Sequence, residues 1–135
     1  ADPCYRSQLE IAAVDQPITL RPEVEALRGE LARAHLVLYP TSLPEGFPDV
    51  AVEAMAVGRA VVWPDVAPLA EALGGSGIAV AGADVDSVRG AIVAAGSGLD
   101  LARLGREAHA VAQRRHSWQV LWPRWRSLLV STAGR

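Results

Sequence analysis

The chain has 135 residues, half of them hydrophobic, with 13 basic and 15 acidic side chains and a formal net charge of -2. This suffices for one core in one domain, while the scattered charges exclude the clustered basic field of a nucleic-acid binder. The longest apolar runs are strand-sized, far short of a membrane span.

In chain order, Asp2 to Val14 has a mildly helical pattern with Leu9, Ala12 and Ala13 on one side. Pro17 to Leu20 is a short candidate strand. Pro22 suits a first helical position, and Val24, Leu27, Leu31 and Ala34 recur at helical spacing. His35 to Tyr39 reads as a buried strand, Pro40 to Phe47 as a loop, and Pro48 opens a helix through Ala56 that Gly58 ends. Ala60 to Trp63 is the next strand, followed by a short helix from Pro68 to Leu73 and a strand at Ile78 to Val80. Val85 to Ala94, Leu101 to Arg114 and Ser117 to Val130 read as helices. Strands and helices alternate, and strands without polar alternation suit a parallel sheet covered on both faces. The class is α/β.

Cys4 is the single cysteine, so no internal disulfide or cysteine-based zinc site can form. His35, His109 and His116 lack metal-ligand spacing. His35 reads as a structural histidine at a strand start, and His109 and His116 carry no assigned role.

The stretch that carries chemistry runs from Pro40 to Val62. A strand ends near Tyr39, a loop follows, and a helix begins near Pro48. Ligands of open parallel sheets bind beyond the carboxyl ends of strands. The N–H groups of Gly46 and Phe47, next to a helix N-terminus, suit an anion or sugar hydroxyls, and Gly46 allows close backbone approach. Pro48 has no N–H to donate. The Phe47 ring reads as a core anchor for the loop. Glu45 precedes the helix and Glu53 lies eight positions later, about two turns on, among Val50, Ala51, Val52, Ala54, Met55 and Ala56. A carboxylate on so apolar a helix calls for a partner or ligand to offset desolvation; otherwise the two Glu are a loop acid and a helix acid on a solvated face. Glu71 suits either ligand contact or a surface helix.

EGFPDVAVEAMAVGRAVV resembles the donor-site signature of family 4 (group 1) retaining glycosyltransferases, in which two Glu are separated by seven residues; here these are Glu45 and Glu53. HLVLYPTS resembles the strand entering that site, and SGIAV and HSW resemble later elements. The resemblance implies the C-terminal, Rossmann-like half of a GT-B fold, a nucleotide-sugar donor and an acceptor whose identity the sequence leaves open. It gives Glu45 the donor-sugar hydroxyls, Gly46, Phe47 and Pro48 the sugar and diphosphate, and Glu53 the nucleotide ribose. It implies no metal or other cofactor, and a cytoplasmic enzyme. Asp65 to Pro68 replace the adjacent glycines usual after the strand ending at Trp63.

By the same resemblance, residues 1–135 are expected to be a partial donor-binding domain, with two strands and an N-terminal acceptor domain lying upstream. Those two strands belong between Pro17–Leu20 and Leu36–Tyr39 in the order 3-2-1-4-5-6. The chain alone is then expected to be inactive and its sheet edge to need a partner. Trp118, Leu121, Trp122, Trp125, Leu128 and Leu129 share a helical face near Arg115, Arg124 and Arg126. That face is expected to pack on protein, with peripheral membrane contact as the alternative, and Pro123 to kink the helix. The alternative functions are a non-catalytic scaffold or a flavodoxin-like binding module.

Overall fold

A computed structural model describes residues 3–21, 25–41 and 46–133. Their elements are α1 (Pro3–Ala12), α2 (Leu27–Arg33), β1 (Leu36–Leu38), α3 (Asp49–Ala56), β2 (Ala60–Pro64), α4 (Ala67–Leu73), β3 (Ile78–Val80), α5 (Val85–Gly96), α6 (Leu101–His116) and α7 (Trp118–Ala133). The strands pair in parallel in the order β1-β2-β3, with Leu36 opposite Ala60 and Val62 opposite Ile78. This is an α/β fold with a parallel sheet and flanking helices, as expected.

The central strand β2 is buried at all of its positions. A strand of this kind must be covered on both faces. Val61 and Trp63 join Leu31, Met55, Leu69 and Leu73 in the core. Ala51, Ala54 and Met55 form the buried stripe of α3, at the i, i+3, i+4 spacing of an amphipathic helix. Small residues Gly105, Ala108 and Ala112 form that of α6. Burying the Trp63 indole leaves its N–H in need of an acceptor, which the Ser76 carbonyl provides at 2.8 Å.

Side-chain caps set two helix starts. Asp84 accepts from the Ser87 N–H at 2.9 Å at the start of α5, and Asp100 from the Arg103 N–H at 2.8 Å at the start of α6. Gly74 takes the left-handed conformation (φ 59°) that ends α4.

One expectation is corrected. Pro17–Leu20 is not a strand: it pairs with no described strand, and Ile18 is 55% exposed. A short extended segment needs a neighbour to hydrogen-bond with, and local pattern alone cannot supply one. Most of the apolar face of α7 is open within this chain, as an expected packing across an interdomain region leaves it. Trp118 is 63% exposed, Trp125, Leu128 and Leu129 are exposed as well, and Trp118 and Trp122 stack on each other at 5.2 Å. Pro123 lies inside α7, which continues to Ala133. The expected helix start at Pro22 lies outside the described residues; the described part of that helix begins at Leu27.

Candidate functional site

Parallel pairing brings the carboxyl ends of the strands to one side of the sheet. The Tyr39 N–H donates to the Val62 carbonyl at 2.9 Å and the Asp65 N–H to the Val80 carbonyl at 2.8 Å, so the chain leaves β1 and β2 on that side. The loop after β1 delivers Gly46 and Phe47, and the two-residue link after β2 delivers α4. Both line a cavity of about 540 Å³, with Pro68 and Glu71 on the α4 side. This is the end of an α/β sheet where ligands bind.

The opposite wall comes from the junction of α6 and α7, where Arg114, Arg115, His116 and Arg124 converge. Ser117, in extended conformation, is the one residue between the two helices. Arg115 Nη1 donates to the Glu71 carbonyl at 2.6 Å, and His116 Nε2 lies 2.7 Å from the Ala72 carbonyl. Both carbonyls belong to the last turn of α4, whose acceptors have no partner inside the helix. The two side chains therefore tie α6 to α4 and fix the cavity's rear.

Phe47 departs from expectation. Its ring is 53% exposed and does not enter the core; it meets the His116 imidazole edge-on, with centroids 5.4 Å apart. Pro48 is the buried anchor of this loop and the N-cap residue of α3. Gly46 has open space where a Cβ would lie.

Glu53 lies within α3, as the pattern indicated, but it is exposed. The expected desolvation is absent, because Ala51, Ala54 and Met55 face the core and leave Glu53 on the solvated side. It lines a different cavity, also of about 540 Å³, with Leu27 and Arg28 of α2 and Gln113 of α6. Gly46 and Phe47 thus share one cavity and Glu53 borders another. Glu45 lies outside the described residues.

The cationic wall escaped the sequence reading. Arg115 and Arg124 stood out there only as flanks of an apolar helix face, and Arg114 and His116 as parts of a tail helix. A signal was present: Arg-Arg-His closes α6 and another Arg follows within two turns of α7. Among the described residues no three His, Cys, Asp or Glu side chains are grouped to hold a metal ion, and no helix is long and apolar enough to cross a membrane.

The sequence profile of the group 1 glycosyl transferases matches residues 2–96. The chain belongs to this family. The match spans α1 to α5, and so takes in the β1–loop–α3 unit and the α4 side of the Gly46–Phe47 cavity, all within a GT-B group 1 glycosyltransferase domain. Family membership removes the flavodoxin-like alternative. In this glycosyl transferase, α6 and α7 lie beyond the matched stretch. No curated protein matches the chain.

Proposed function

We propose that this glycosyl transferase chain is the donor-binding part of an enzyme that moves a sugar from a nucleotide-diphosphate sugar to an acceptor with retention of configuration. The observation that carries the reading is the family match across residues 2–96, a stretch that includes the strand, loop and helix presenting Gly46, Phe47 and Glu53. Glu45 orients the donor sugar through its hydroxyls. The N–H groups of Gly46 and Phe47 face the sugar and diphosphate, while Pro48 shapes the loop without donating. Glu53 accepts hydrogen bonds from the ribose hydroxyls, and its exposure on α3 leaves it free to do so.

Bond cleavage at the anomeric carbon builds positive character there and negative charge on the departing diphosphate. Fixed N–H dipoles and arginine side chains oppose that charge without a metal ion. Holding donor and acceptor in register supplies the rest of the acceleration. In the same proposal the sheet continues past β1 with two further strands, an acceptor-binding domain completes the enzyme, and catalysis takes place in the cytoplasm.

Calorimetric titration with a panel of nucleotide sugars tests the reading. Loss of a charge-assisted hydrogen bond costs about 1.5–3 kcal/mol, so Glu53→Ala is expected to weaken the best donor by roughly tenfold or more. Equal affinity in parent and variant rejects the ribose role. The anomeric configuration of the product, read by NMR, tests retention.

A further inference from the structure

The cavity between the Gly46–Phe47 loop and the α6–α7 junction has an unbalanced electrostatic lining. Among the described residues, Arg114, Arg115 and Arg124 all border it, against the single carboxylate of Glu71. Among the described residues none of these arginines forms an ion pair. Arg115 is hydrogen-bonded to a backbone carbonyl, which holds the guanidinium in place and leaves its charge uncompensated. Gly74 leaves room for it there, since an added Cβ would lie 3.2 Å from the guanidinium carbon. Arg114 comes from the last turn of α6, where a cation is favoured by the helix dipole, but Arg124 stands in the middle of α7 and has no such reason to be there. A one-residue link between two 16-residue helices presents both side chains to the same space.

We infer that this cavity is a phosphate-binding site, with Arg114 and Arg124 as its clamp and Arg115 as its fixed positive wall. Guanidinium groups pair with phosphate through parallel N–H donors, which suits a cavity lined by arginine rather than by a compact ammonium. A volume of about 540 Å³ admits a diphosphate or a phosphorylated sugar. The inference rests on the proposed glycosyl transfer for its ligand class, and adds to it residues that lie outside the family-matched stretch. The phosphate belongs either to the donor diphosphate or to a phosphorylated acceptor.

The test is titration of the parent chain, the Arg114→Gln/Arg124→Gln variant and Glu53→Ala with inorganic pyrophosphate and with a nucleoside diphosphate. Both arginines are exposed, so the double variant is expected to fold, with circular dichroism as the check. Pyrophosphate affinity is expected to fall about tenfold or more in the double variant and to be only partly restored by Arg114→Lys/Arg124→Lys, which keeps the charges but loses the parallel donors. Glu53→Ala is expected to leave it unchanged. A nucleoside diphosphate that displaces pyrophosphate and binds more weakly in Glu53→Ala identifies the donor as the source; pyrophosphate binding that survives saturating nucleoside diphosphate identifies the acceptor. Nucleotide affinity that ignores Glu53 while pyrophosphate still needs the arginines removes the ribose role and leaves this site standing. No pyrophosphate binding by the parent, or equal affinity in the double glutamine variant, overturns the site.

Discussion

Phe47 and His116, both lining the arginine-lined cavity, meet edge-to-face with ring planes at 73°. One ring belongs to the loop after β1 and the other to the last residue of α6, 69 positions apart in the chain (116 - 47). His116 is itself held by the Ala72 carbonyl of α4. The contact therefore links the loop to a side chain already fixed on the opposite wall.

A double-mutant cycle measures that link. Aromatic pairs contribute about 0.5–1.5 kcal/mol beyond area burial, so Phe47→Ala and His116→Ala are expected to be coupled by about that amount in chemical denaturation. Additive effects would show that the loop does not depend on the ring contact.

Close approach of α6 gives a second expectation. A Cβ at Gly105 would overlap the Gly58 carbonyl oxygen, a backbone atom that cannot swing aside. Gly105→Ala is expected to destabilise the chain by about 1–3 kcal/mol, the usual cost of overpacking. Gly90, inside α5, has open space around its Cβ position, so Gly90→Ala is expected to stabilise by about 0.4–1 kcal/mol. Denaturant midpoints for the two variants should move in opposite directions.

The three paired strands were legible because each is a compact apolar run flanked by turn residues, and β2, the most uniformly apolar, is the most buried. Helices were legible where a Pro or Gly marks an end, as at Pro48 and Gly58 of α3. Pro17–Leu20 was misread because pairing is a property of two segments. The solvated side of Glu53 was misread because the two faces of α3 are both rich in small apolar residues, and only the position of β2 and α6 decides which face is inside. The arginine wall was missed for a related reason: Arg114 and Arg124 converge only because α6 and α7 join at Ser117.

The Asp84 cap predicts a pH dependence. The Ser87 hydroxyl, 2.7 Å away, and then the Ser87 N–H lower the Asp84 pKa below its ordinary value of 3.8. A carboxyl with a lowered folded-state pKa adds stability that is complete above the ordinary value and disappears as pH falls through the lowered one. Asp84→Asn is therefore expected to melt earlier than the parent near neutral pH, and the gap should narrow as pH falls below the ordinary carboxylate value. A gap independent of pH would show that the cap acts through its neutral hydrogen bonds alone.

The open side of β1 gives the last expectation. Leu38 is 42% exposed, and the Tyr39 N–H points to β2, bonding the Val62 carbonyl. Successive amides of a strand point to opposite sides, so the Leu38 N–H points away from β2. In this chain alone the Leu38 amide is expected to exchange with solvent much faster than the Tyr39 amide, since no described strand lies on its side. The proposed fold places another parallel strand there. In a longer polypeptide carrying that strand, the Leu38 amide should become as protected as its neighbour, because an unpaired backbone donor at a covered sheet edge is costly. Hydrogen exchange followed by NMR resolves the two amides individually. A Leu38 amide still unprotected in the longer polypeptide would remove the proposed strand order, while leaving the β1-β2-β3 pairing as it is.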